Sequence, residues 1–165
     1  MGLDAPPGYA LAWHQGPRDE LRGLFELAED SPLQLEASID RGRVLLARDR
    51  DGEAVAHLQL VPLAEGTAEI ASLAVAPGHR LLGLGRRLVE HAASACRADG
   101  TRVLTVATAT ADIGNLRFYQ RCGFRAESVE RDAFTPAQGY APDLEADGIP
   151  VRDRIRFSLV LEGGA

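Results

Sequence analysis

The sequence predicts one mixed α/β domain, a mostly antiparallel sheet flanked by four helices in the order βααβββαβαββ. Three observations carry that expectation. The chain has 165 residues, 45% hydrophobic and 25% charged, enough for one packed interior and too little for two. Its first half holds β-rich runs around an Asp51-Gly52 pair, a two-residue hairpin signal because glycine accepts positive φ. Its second half turns to helical periodicity from Leu84 to Asp99 and then alternates short strand-like and helical runs.

Tyr9 to Gln15 reads as the first strand. Arg18 to Asp30 follows as an amphipathic helix with Leu21, Leu24, Phe25, Leu27 and Ala28 near one face. Ser31-Pro32 starts a second helix, with Ser31 as cap and Pro32 in the first turn where its missing N–H costs nothing; Gly42 closes it. Arg43 to Arg50, Glu53 to Pro62 and Thr67 to Ala76 form a three-stranded meander whose last member is apolar enough to be buried on both faces. In the next helix Leu84, Leu88, Val89, Ala92, Ala95 and Cys96 share a face, and Gly100 ends it. Arg102 to Thr108 is a strand, and Asn115 to Cys122 a short helix closed by Gly123. Phe124 to Asp132 and Val151 to Leu161 are the last two strands. Ala133 to Pro150, with three prolines, reads as a long loop between them.

The composition excludes several classes of function. Eighteen arginines, no lysine and twenty-four acidic residues give a net charge of −6, the wrong sign for sequence-blind binding to a nucleic-acid backbone. Cys96 and Cys122 lie too far apart for a Cys-x-x-Cys site, and the four histidines show no short ligand spacing, so no metal is expected. Apolar runs break within about ten residues, short of a bilayer span. The N-terminus lacks a basic and apolar leader, so a cytoplasmic protein is expected.

The most informative stretch runs from Val75 to Arg86, where a strand passes through a glycine-containing turn into a helix. Unpaired N–H groups of a first helical turn bind anions, and Gly83 and Gly85 remove side chains that would hold a phosphate off the backbone. Arg80 and Arg86 add charge. A Rossmann fingerprint fails because Leu88 stands at the third glycine position, and a P-loop fails for want of lysine.

Arg80-Leu81-Leu82-Gly83-Leu84-Gly85 resembles the R/Q-x-x-G-x-G/A pyrophosphate motif of the GNAT superfamily of acyl-CoA-dependent N-acetyltransferases. Asn115-Leu116-Arg117-Phe118-Tyr119-Gln120-Arg121-Cys122-Gly123-Phe124 is similar to that family's N-x-x-F-Y-x-x-x-G-F. One departure stands out: the family commonly has glycine and then a basic residue where this chain has Leu81 and Leu82. The resemblance implies a sheet splayed beside the strand Glu69 to Val75, with acetyl-CoA as co-substrate in the gap. Backbone groups of Leu73, Ala74 and Val75 would meet the pantetheine arm and thioester. The segment Arg80, Leu81, Leu82, Gly83, Leu84, Gly85 and Arg86 would hold the pyrophosphate, and Asn115 and Tyr119 would line the far wall.

The resemblance also implies roles. Attack of an amine on a thioester builds an oxyanion and expels a thiolate, and Tyr119 stands where the family often places the acid that protonates the sulfur. A phenol near 10 is only a slightly weaker acid than a thiol near 8.5. Asn115 has a second reading as the cap of its helix. Glu69 matches the place of a glutamate base in the histone-modifying branch, with His57, His79 and Ser72 as lesser candidates for the base. Strict alternation would put Glu69, Ala71, Leu73 and Val75 on one face and Ile70, Ser72 and Ala74 on the other. Glu127, Glu130, Asp132, Phe134, Tyr140, Asp143, Glu145 and Asp147 form an acidic and aromatic mixture suited to a cationic amine. The acceptor is expected to be a primary amine of a small molecule or protein. A catalytically silent acetyl-CoA sensor of the same fold and a homodimeric assembly are the other expectations.

Overall fold

The computed structural model describes residues 4–162. In chain order, β1 (Ala10–Trp13) leads through a 3-10 turn (Asp19–Leu21) into α1 (Arg22–Ala28) and α2 (Pro32–Ser38). The meander β2 (Arg43–Arg48), β3 (Ala54–Pro62) and β4 (Thr67–Val75) follows, and α3 (Leu84–Ala98), β5 (Val103–Ala109) and α4 (Ile113–Arg121) come next. β6 (Arg125–Glu130), a small hairpin of β7 (Glu145–Ala146) and β8 (Ile149–Pro150), and β9 (Arg154–Val160) complete the chain. The seven long strands make one sheet in the order β1-β2-β3-β4-β5-β9-β6. Every pairing is antiparallel except β4 with β5, so the expected fold class and element order are those observed.

The local signals explain most elements. The Ser31 side chain accepts from the Gln34 N–H with Pro32 in the first turn, as the Ser-Pro pair predicts. The β2–β3 loop differs from the expected two-residue turn. Gly52 N–H donates to the Asp49 carbonyl and Asp49 N–H to the Glu53 carbonyl, leaving three loop residues with Gly52 at φ 85°. Asp49 Oδ1 stabilises this longer turn by accepting from the Asp51 and Glu53 amides. In α1, Leu24 and Phe25 are buried, with Leu21 just before them, whereas Leu27, turned away from that face by the helical rotation, and Ala28, at the helix end, are exposed. Asp112, not Asn115, caps α4 by accepting from the Asn115 N–H. The 133–150 loop carries a 3-10 turn (Pro136–Gln138) and the β7–β8 hairpin.

α1 packs on one face of β3 and β4, and α3 covers the other face of β2, β3 and β4. Amphipathic α3 fills the larger core with Leu84, Leu88, Val89, Ala92 and Cys96 against Leu58, Ile70 and Leu104. β4 is not buried on both faces as expected: Ala68, Ile70 and Ala74 are buried, while Glu69, Ser72 and Leu73 stay partly open.

Two irregularities of β4 create the site. β4 and β5 pair only from Thr67↔Val103 to Ile70↔Val106, although β3 follows β4 to Val75 and β9 follows β5 to Ala109. The sheet therefore opens beyond Ile70. In addition, Gln59 faces Ser72 and Leu60 faces Ile70, so Ala71 is a bulge with no partner on β3. That extra residue overturns strict alternation. Directly opposed residues share a face: Glu69, Ser72 and Ala74 lie with Val61, Gln59 and His57 on the α1 face. Ala68, Ile70, Leu73 and Val75 face α3.

Candidate active site

The backbone of β4 beyond the bulge lines the gap. Ala76 N–H donates to the Val55 carbonyl at 2.8 Å, which sets the alternation: Ala74 and Ser72 direct their amide and carbonyl to β3, and Leu73 and Val75 direct theirs toward the parted β5. Leu73 and Val75 thus stand where the resemblance implies backbone contacts, while the Ala74 backbone is committed to β3. The Val75 carbonyl accepts from Arg80 Nε at 3.0 Å, tying Arg80 to the strand end.

At one end of the gap the chain turns through Pro77–His79 into α3. The Tyr9 hydroxyl and His79 Nδ1 meet at 2.9 Å and steady this turn. Gly83 caps α3 at φ 84° with no side-chain cap, and the first amide to bond back into the helix is that of Arg87, to the Gly83 carbonyl. The amides of Leu84, Gly85 and Arg86 thus lack helical partners and present the positive end of a 15-residue helix. A Cβ on Gly83 would meet nothing within 4 Å, so the space over these amides is open.

The glycines and arginines of this loop divide the work differently from the sequence expectation. A Cβ on Gly85 would sit 3.2 Å from the Phe118 ring and 3.8 Å from Val75, so this glycine lets α4 approach α3. Buried Leu84 anchors the helix start. Leu81 adopts φ 62° and is fully exposed, with Leu82 half-exposed beside it. A leucine thus occupies a left-handed position that glycine takes without strain, at a cost of about 1–2 kcal/mol. Arg86 turns along the helix to Glu90 at 3.0 Å, away from the helix start.

α4 begins beside the end of β5 that β4 leaves unpaired. Tyr119 is buried at 5% exposure against Phe118, Phe124 and Phe157, with ring centroids 5.0, 5.8 and 6.4 Å away. Burial pushes its phenol well above the ordinary tyrosine range. Asn115, on the first turn of α4, donates from Nδ2 to Thr108 Oγ1 at 3.1 Å and pins the helix to the open end of β5. Cys122 is a poor nucleophile, because burial raises its thiol. Phe157 pairs with Val106, and Val106 with Ile70, so Tyr119 lies on the α3 side of the sheet.

The α1 side carries a different set. His57 is fully buried, its Nε2 at 2.7 Å from Ser72 Oγ and its ring 4.3 Å from that of Phe25. Its Nδ1 has no partner, and desolvation lowers its pKa to about 3. A ring held at so low a pKa is a weak base, and its one polar contact is the Ser72 hydroxyl; His79 is engaged with Tyr9. Glu69 lies one step before the last β4–β5 pair, partly open, with Oε2 3.5 Å from Arg156 Nη1 on β9. Arg156 was missed by sequence reasoning; no motif marks it, and only the register brings it here.

The 131–153 segment straps this face. Ser31 Oγ donates to the Gln138 carbonyl at 2.7 Å, and the Ile113 N–H donates to Asp147 Oδ2 at 3.0 Å. Phe134 stacks edge-on against buried Tyr140 at 4.9 Å, and Arg154 lies 5.0 Å over Phe134 while pairing with Glu130 at 3.0 Å. The acidic and aromatic mixture read from the sequence is in these places largely bound up in holding the strap. Glu127 and Asp143 are exposed. No group of three or more metal-ligating side chains occurs among the described residues.

The model of the acetyltransferase (GNAT) family matches residues 9–124, more than half of the chain. The chain belongs to this family. An uncharacterized N-acetyltransferase of Bacillus subtilis, YvbK, is 31% identical over 143 residues, covering 87% of this chain and 90% of the relative. A Bacillus subtilis acetyltransferase solved in complex with CoA superposes with a TM-score of 0.82 at 29% identity, over 93% of this chain and 99% of the other. An IAA acetyltransferase from Bacillus cereus gives 0.81 at 29% identity, over 92% and 100%. The family expected from two short motifs is thus the one whose model matches. No helix among the described residues is long and apolar enough to cross a membrane.

Proposed function

We propose that this GNAT acetyltransferase moves an acetyl group from acetyl-CoA to a primary amine by direct attack, without an acyl-enzyme. The observation that carries the reading is the gap beyond Ile70, with a proton donor, Tyr119, on one side of the sheet and a carboxylate, Glu69, on the other. The residues present fit acetyl-CoA. Leu73 and Val75 offer backbone groups to the pantetheine arm and thioester, and the unpartnered amides of Leu84 to Arg86 receive the pyrophosphate. The structure of the Bacillus subtilis relative with CoA supports this assignment.

A primary amine near 10.4 arrives as an ammonium at neutral pH. Glu69 accepts one proton before attack. The freed nitrogen bonds to the acetyl carbonyl carbon, the C–S bond breaks with its electron pair on sulfur, and the nitrogen gives up a second proton. One of the two protons balances the new CoA thiol and the other is released. Tyr119 supplies the sulfur through its hydroxyl; burial raises its pKa and widens the gap to a thiol, so the proton passes only as negative charge builds on the sulfur and is replaced by the one the nitrogen gives up. With the Cys122 thiol raised, direct transfer is favoured over an acyl-cysteine.

The test is release of CoA thiol over a panel of primary amines, run on the native protein and on Tyr119→Phe. Amine-dependent release that falls about 10²-fold in kcat in the variant, with acetyl-CoA still bound by calorimetry, is the expected result. Binding of acetyl-CoA with no turnover of any amine would favour the silent sensor.

A further inference from the structure

Arg156 has no part in the transfer step above, yet it stands at the mouth of the gap. It lies on β9 opposite Ala107, on the same face as Thr105, Ser158 and Glu69. This part of the sheet lies beyond α1, which covers β3 and β4. The guanidinium is partly open to solvent, and its single close charge contact among the described residues is Glu69 at 3.5 Å. Five N–H donors in a planar fork are thus met by one long contact, which leaves an edge suited to a second carboxylate. Several other charges are engaged elsewhere: Arg154 with Glu130 and the Phe134 face, Asp153 with the Asp132 amide, Asp147 with the Ile113 amide; Glu127, at the β6 bulge beside Ser128, which pairs with Arg156, is exposed.

We propose that the acceptor is a zwitterion of the α-amino-acid type, its amine directed to Glu69 and its carboxylate held by Arg156. The inference rests on the acetyltransferase reading and narrows its acceptor. A carboxylate and a guanidinium in contact present the complement of a zwitterion, whose ammonium and carboxylate lie equally close to each other. The match also sets orientation: a carboxylate anchored on β9 aims the neighbouring amine at the opening beyond Ile70. Ala107, opposite Arg156 on the same face, contributes only a methyl group there.

The experiment compares matched triplets with one side chain, such as phenylalanine, phenylalaninamide and phenethylamine, drawn across several side-chain types. CoA-thiol release is measured with native protein, Arg156→Gln and Arg156→Lys. Calorimetry of the same compounds against CoA-saturated protein accompanies it. The expected result is a preference of about 10- to 100-fold in kcat/KM for the free acid over its amide, carried mainly by KM. That preference collapses toward unity in Arg156→Gln and is partly kept in Arg156→Lys. Equal turnover of acids, amides and decarboxylated amines would overturn the proposal while leaving the acetyltransferase reading in place. A preference that survives Arg156→Gln would overturn the role of Arg156. If no compound turns over, the acetyltransferase reading fails on that result, and the calorimetry decides separately: acids binding no tighter than amides would overturn the carboxylate site.

Discussion

His57 makes the stability of this protein depend on pH in a calculable way. It is fully buried, stacked on Phe25, and holds a pKa of about 3 against an ordinary 6.5 because burial penalises the charged ring. A lowered histidine pKa contributes stability that is fully present above 6.5 and is lost as pH falls toward 3, since the unfolded chain takes up a proton that the folded one refuses. At pH 5 the unfolded ring has gained about 1.5 pH units of protonation, worth about 2 kcal/mol at 1.36 kcal/mol per unit; the folded ring has gained almost nothing. His57→Gln removes this titration while retaining a polar side chain. Urea unfolding of both proteins at pH 7.5 and pH 5 gives the comparison. The native protein should lose about 2 kcal/mol more than the variant, the carboxylate contributions being common to both. Parallel losses would refute the reasoning and mean that His57 is protonated or solvated in the fold.

Two further perturbations address the catalytic side. Glu69→Gln should lower kcat about 10²-fold at pH 7. Raising the pH to 9 should restore much of it, because the free fraction of an amine near 10.4 grows about 100-fold over that range; equal deficits at both pH values would exclude Glu69 as the base. Gly83→Ala places a methyl in the open space above the α3 amides at φ 84°. It should cost about 1 kcal/mol in thermal stability and on the order of tenfold in acetyl-CoA affinity by calorimetry. An unchanged affinity would remove the pyrophosphate from this helix start.

What the sequence displayed and what it hid divide along physical lines. Local chemistry was legible: Ser31-Pro32 starts α2, glycine closes α3 at Gly100, and the Gly83 turn opens it, because each depends on its neighbours in the chain. The hairpin at Asp51-Gly52 was legible as a turn but not in its length, which Asp49 decides through its side-chain bonds. The α4 cap was read at Asn115, whereas Asp112, an equally good capping residue three positions earlier, starts the helix one turn sooner. The bulge at Ala71 was invisible. No glycine or proline marks it, and it exists only in the register with β3, yet it moves Ser72 to the face that holds Glu69. For the same reason Arg156 could not be found: its place follows from β9 entering between β5 and β6, a tertiary choice that strand periodicity does not encode.

The central claim, that the gap between β4 and β5 and the start of α3 together hold acetyl-CoA, is tested most directly by backbone amide NMR of the protein titrated with acetyl-CoA. The account predicts that the largest shifts and the slowest hydrogen exchange appear at Leu73, Val75 and the amides of Leu84, Gly85 and Arg86. An open depression of about 470 Å³ against the paired strands β6 and β9, lined by Gly123, Arg125, Ser158 and Val160, provides the contrast. Shifts concentrated at that depression, with the β4 and α3 amides unmoved, would contradict the account.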